Sequence, residues 1–223
     1  MPNALLYAPA GGGKTVNSTR VLAPKRGKNL LICTDNSSIV LRNFDRKSLT
    51  ITEVHSVDEF LQAYHKACDS KQYDNIILDN LSDLFDMWIL ELGTPEEQQK
   101  GAPKDIRQQY QLVYQELKRL TRKSTAVDCN TIFTAWTDMM EIPQPDGSRI
   151  QRLQPKLPYK ILDNVCGLMN VIGYVATDGQ KWWYVTKPTA TLFAKDQIFC
   201  RDYCLPETIF EGESDIKNKE NNK

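Results

Sequence analysis

Residues 4–15 read Ala-Leu-Leu-Tyr-Ala-Pro-Ala-Gly-Gly-Gly-Lys-Thr, an apolar run that passes directly into three glycines and closes on Lys14 and Thr15. A strand followed at once by a glycine-rich turn and a helix-compatible stretch is the opening unit of an α/β fold built to hold a phosphate chain. Glycine reaches backbone angles that side chains forbid, so successive N–H groups turn inward around an anion at the start of the following helix. On this reading Ala10, Gly11, Gly12 and Gly13 line the phosphates. Lys14 reaches the β- and γ-phosphates of ATP, and the Thr15 hydroxyl ligates Mg²⁺. Ala8 stands where G-x-x-x-x-G-K-[ST] has its first glycine, a mild loss because alanine is the next smallest residue. The competing reading is a glycine-rich turn that merely ends in Lys-Thr.

The rest of the chain repeats the strand-then-helix pattern. Residues 14–22 are expected to form the helix behind the loop. The runs 29–34, 75–79 and 130–136 are nearly continuous in apolar residues, as strands covered on both faces require. Between them, Val57, Phe60, Leu61, Tyr64 and Cys68 fall at helical spacing, as do Tyr110, Val113, Leu117 and Leu120. Residues 81–89 also read as a helix. The segments 92–104 and 143–159 are polar and broken by Gly and Pro, and are expected to be loops. Residues 171–187 read as a hairpin turning at Asp178-Gly179. Together these predict an α/β fold, a mainly parallel doubly wound sheet with a C-terminal antiparallel hairpin. A length of 223 residues suits one domain over 1–210, with 211–223 as a disordered charged tail.

Lys plus Arg and Asp plus Glu each count 28, so any nucleic-acid contact must come from a local patch. Six scattered cysteines lack zinc-ligand spacing and read as reduced core thiols. No stretch approaches the ~18 apolar residues of a membrane span. The expectation is a soluble cytoplasmic protein.

Ligands in such sheets bind beyond the carboxyl ends of the strands, where Asp35, Asp79 and Thr134 fall. Asp79 closes an apolar strand and fits the carboxylate that holds Mg²⁺ in phosphoryl transfer; the alternative is a cap for the next helix. Asn80 follows it, so the Asp-Glu pair by which many ATPases position water is absent. Asp35 is then the candidate for polarising the attacking water, against a plain turn in Asp-Asn-Ser-Ser. Thr134 is a candidate to meet the γ-phosphate through its hydroxyl, or simply a β-branched strand residue. Of Trp182 and Trp183, alternation sends one ring toward an interface and the other into the core.

The loop, Asp-Asn-Leu-Ser-Asp-Leu at 79–84, Phe-Thr-Ala-Trp at 133–136 and Ala-Lys-Asp-Gln at 194–197 together resemble phage-encoded RecA-like ATPases. The resemblance spans about residues 4–198. It implies a RecA-like P-loop NTPase core, Mg-ATP as ligand, work on single-stranded DNA in recombination, and a homo-oligomeric ring or filament with nucleotide at subunit interfaces. It also implies a trans-acting cation at Lys195, although Gln197 stands where the family's Lys-x-Arg pair has its Arg. DNA-binding loops in that family follow core strands, which assigns Arg149, Arg152, Lys156 and Lys160 to a phosphate backbone; a solvated loop is the alternative. Two rivals stay open: a nucleotide-gated assembly module with negligible turnover, and a small-molecule kinase.

Overall fold

A computed structural model describes residues 1–42 and 48–211; the tail expected to be disordered lies, beyond Glu211, outside the described residues. The strands pair into one sheet. β1 (Asn3–Ala8) lies between β5 (Asn130–Pro143) and β7 (Val171–Thr177), parallel to both. Outward from β5 come β4 (Asn75–Asp79), β2 (Asn29–Cys33) and the edge strand β3 (Leu49–Glu53), all parallel. On the other side, β8 (Trp182–Val185) and then β10 (Tyr203–Cys204) run antiparallel beyond β7. β9 (Lys195–Asp196) also pairs with β7.

Every residue of β1, β2 and β4 is buried, so both faces of the sheet need cover. The two faces are covered unequally. One carries α2 (Val57–Ser70), α3 (Leu81–Leu92), α5 (Ile106–Ser124) and α6 (Tyr159–Leu168), whose Phe60, Leu84, Leu117 and Val165 share one buried core with Leu5 and Tyr7. The other is covered by α1 (Lys14–Ser18), a 3₁₀ turn at Ser37–Leu41 and the chain around Ile209, which enclose Leu6, Leu31 and Ile77. The doubly wound expectation therefore holds in topology, with all the long described helices on one face.

Several boundaries differ from the sequence reading. α1 stops at Ser18 instead of reaching residue 22, because Asn17, Ser18 and Thr19 turn their side chains back onto the carbonyls of Gly13, Thr15 and Val16. The polar stretch 92–104 contains α4 (Pro95–Gln99), capped by the Thr94 hydroxyl and started by Pro95 at its first position. β5 runs past Trp136 to Pro143 and pairs with β6 (Arg149–Pro155), so the expected loop 143–159 contains the second strand of a two-stranded ribbon. Its sequence carries no apolar alternation, since Ile150 and Leu153 fall on opposite faces of the strand. The hairpin turn at Asp178-Gly179 is as expected, with Gly179 at φ 91° and the Asp178 carboxylate accepting the N–H groups of Gln180 and Lys181.

One device escaped the pattern reading. Asparagine is the first residue of β1, β2, β4 and β5, and Asn170 immediately precedes β7. At the amino end of the sheet these side chains pair across strands. Asn130 Nδ2 donates to Asn75 Oδ1, Asn75 Nδ2 donates to Asn29 Oδ1, and Asn170 Oδ1 accepts the Asn3 N–H. Because each strand enters at the same level, the ligand-facing carboxyl ends are brought to one level too.

Candidate nucleotide-binding site

The loop leaves β1 at Ala8 and is shaped by its glycines. Gly11 and Gly13 lie at φ 72° and 75°, in the left-handed region. A Cβ on Gly12 would come within 2.7 Å of Ala8 Cβ, and one on Gly13 within 2.8 Å of the Trp182 ring. Each glycine is therefore dictated by contact or by backbone angle. The Gly12 N–H donates to the Pro9 carbonyl at 3.0 Å. Lys14 is buried, and its ammonium donates to the carbonyls of Ala8 and Pro9 at 3.2 and 3.0 Å. Burial lowers its pKa, opposed by the charges of Asp79 and Asp35.

Asp79 ends β4 and is fully enclosed, with three hydroxyls converging on it. Thr15 and Ser37 donate to Oδ2 at 2.6 and 2.8 Å, and Thr134 donates to Oδ1. Burial raises the Asp79 pKa, while these hydrogen bonds hold it down. Thr134, expected at the γ-phosphate, is itself fully buried and spends its hydroxyl on Asp79.

Asp35 follows β2, the neighbour of β4, and is half-buried. Its Oδ1 accepts the Ser37 N–H at 3.1 Å, and its Oδ2 accepts the Asn80 side-chain amide at 2.7 Å. Asn80 Oδ1 also accepts the Asp83 N–H, capping α3. A single side chain thus starts a helix and holds a carboxylate. Ligand atoms of Cys33, Asp35 and Asp79 lie within 4.8 Å of one another. Burial pushes the Cys33 thiol up to about 11, which keeps it protonated and a poor ligand at neutral pH. The hydroxyl of Thr15 and the carboxylate of Asp79, joined at 2.6 Å, are hard oxygen donors that suit Mg²⁺, with Asp35 beside them.

The loop, Asp35 and Asp79 line one cleft of about 650 Å³, with Trp136 and Trp182 forming part of its wall. Both Trp182 and Trp183 are half-buried; Trp182 packs against the core on the α1 face. Ser37, Asn80, Trp136 and Trp182 are the residues that the sequence reading did not place at the site. Asn80 carried a signal, since it directly follows the strand-ending carboxylate.

The remaining candidates do not line this cleft, although Lys156 lies over the Trp136 ring at its wall. Lys195 sits on β9 opposite Ile172, which pairs with Leu5 near the amino end of β1, whereas the loop leaves the carboxyl end. Its ammonium donates to the Cys166 carbonyl at 2.8 Å, and burial lowers its pKa. Arg149 on β6 is ion-paired with Glu141 at 2.8 Å. Arg152 lies over the Phe193 ring at 5.1 Å, and Lys156 over the Trp136 ring at 4.9 Å, while Lys160 is exposed in the first turn of α6. Five cysteines are buried and Cys200 is exposed, all with free thiols. No described helix is long and apolar enough to cross a membrane.

No match was found among curated proteins. Residues 2–198, nearly the whole chain, match the family model of the AAA domain. A buried lysine in a glycine loop facing a strand-ending aspartate is what such a domain requires, and the chain belongs to the AAA domain family of P-loop ATPases.

Proposed function

We propose that this AAA domain hydrolyses Mg-ATP as a RecA-like ATPase, phage-encoded and cytoplasmic, that acts on single-stranded DNA in recombination or replication. The observation that carries the reading is the meeting of Lys14, Thr15, Asp79 and Asp35 at the carboxyl ends of β1, β2 and β4. In this reading the loop N–H groups hold the phosphates, and Lys14 exchanges the carbonyls of Ala8 and Pro9 for the β- and γ-phosphate oxygens. Thr15 and Asp79 hold Mg²⁺, which when bound neutralises charge on the γ-phosphate. Asp35, steered by Asn80 and the Ser37 N–H, polarises the attacking water. Thr134 and Ser37 keep Asp79 aimed at the metal.

DNA contact is assigned to the β5–β6 ribbon and its exit, through Arg149, Arg152, Lys156 and Lys160. Assembly into a ring or filament would let Lys195 act on a neighbour's nucleotide, provided it leaves the Cys166 carbonyl. That engagement, with Gln197 in place of an arginine, favours a second reading in which ATP fixes an assembled state and turnover is negligible.

The test is Mg-dependent ATP hydrolysis with and without single-stranded DNA, comparing wild type with Lys14→Ala. Stimulation by DNA that disappears in the variant supports the recombination ATPase. Tight ATP binding without turnover in either condition supports the second reading, and hydrolysis unchanged in Lys14→Ala would overturn the first.

A further inference from the structure

The wall of the cleft opposite the metal-binding carboxylates is built around one indole. We propose that Trp182 is the platform on which the base of a bound purine nucleotide stacks. This rests on the nucleotide reading above and extends it to the nucleoside.

The sheet order supplies the direction. Asp79 on β4 and Asp35 after β2 both lie on the β5 side of β1, whereas β7 and β8 lie on the other side. A triphosphate whose metal-bound end faces Asp79 must send its nucleoside end across the loop, toward β7 and β8. Trp182 opens β8 and pairs with Thr177, the last residue of β7, so it stands at the same end of the sheet as the loop. Its ring reaches the loop itself: a Cβ on Gly13 would meet Cη2 and Cζ3 at 2.8 Å. The side chain is half-buried, anchored on the α1-face core and still open to the cleft.

Trp136, the other indole of the cleft, does not compete for this role. It belongs to β5, on the metal side of β1, and Lys156 already lies over its ring at 4.9 Å. Trp182 and Gly13 both line the cleft, and the Asn17 side-chain amide lies beside the same point on Gly13 that the indole touches. A wide aromatic face binds by area of overlap, so it favours a purine over a pyrimidine.

The experiment is calorimetric titration of the full chain, with Mg²⁺ present, using ATP and inorganic tripolyphosphate in parallel. Tripolyphosphate carries the phosphates and no base. Trp182→Ala is expected to weaken ATP by tenfold or more, on the order of one lost base–aromatic stack, and to leave tripolyphosphate unchanged. Trp182→Phe should recover most of the ATP affinity, and ATP should quench the tryptophan emission of this variant less than that of wild type. An equal loss for both ligands would overturn the proposal and make Trp182 a brace for Gly13. Unchanged ATP affinity in Trp182→Ala would overturn it as well. Failure of wild type to bind either ligand would instead sink the nucleotide reading, and the proposal with it.

Discussion

Asp79 is a carboxylate enclosed among three hydroxyls. Burial raises its pKa, so ionising Asp79 in the metal-free fold costs stability. A carboxylate raised in this way stabilises the fold relative to the unfolded chain only when protonated, and loses that contribution as pH rises through its folded pKa. Asp79→Asn should therefore raise the melting temperature of the nucleotide-free protein at pH 7 by a few degrees, the equivalent of about 1 kcal/mol. The gain should shrink on acidification, as wild-type Asp79 takes up its proton. Stabilisation by Mg-ATP should be lost in the same variant. Thermal melts across pH, with and without Mg-ATP, measure both effects; a lower melting temperature at pH 7 would contradict the account. Asn80 poses a separable question because it has two jobs. Asn80→Ala removes both the cap of α3 and the tether of Asp35, and should cost about 1 kcal/mol in stability. Asn80→Ser restores a capping oxygen without reaching Asp35. Its stability should recover while kcat stays depressed and KM changes little. Recovery of both would make Asn80 a cap only.

Among the elements, the amino ends of the parallel strands carry a load that their hydrophobic pattern does not reveal. Asn75 is fully buried and joins Asn29 on one side to Asn130 on the other, and it also donates to the Leu22 carbonyl. Removing it leaves buried partners without hydrogen bonds, so Asn75→Ala should destabilise by about 3 kcal/mol, read from urea denaturation midpoints. Because the ladder lies at the opposite end of the strands from the loop, ATP affinity of the folded fraction should be unaltered. The β5–β6 ribbon is the contrasting case, since it pairs beyond the strands that carry the site. Replacing residues 141–151 by a short turn should leave ATP binding intact and abolish DNA stimulation, if the ribbon is the DNA contact. Retained stimulation would move that contact elsewhere.

For the whole molecule, the open question is whether one chain is sufficient. Lys195 lies toward the amino half of the sheet, so within its own chain it does not share the cleft with Lys14. If it serves a neighbour, Lys14→Ala and Lys195→Ala should each be inactive alone and should regain part of the ATPase activity on mixing. The Lys195→Ala subunit then keeps an intact loop, and the Lys14→Ala subunit supplies the cation. No recovery at any mixing ratio, with assembly confirmed by sedimentation, would confine Lys195 to holding the Cys166 carbonyl.

What the chain declared by itself was local. The apolar run into Gly11–Gly13, Lys14 and Thr15 is readable because its chemistry comes from neighbouring residues, and Asp79 and Asp35 are readable because strands with both faces covered end abruptly at a carboxylate. The hairpin at 171–187 is similarly local, set by alternation and by Asp178-Gly179. The tertiary structure decided everything that depends on which strands become neighbours. Thr134 reaches Asp79, and Asn80 reaches Asp35, only because β4 is placed between β5 and β2. Trp182 reaches Gly13 across 169 positions of sequence for the same reason, since the sheet sets β7 and β8 beside β1. Periodicity reports which face of an element is buried; it carries no record of the partner that buries it, and the partners complete this site.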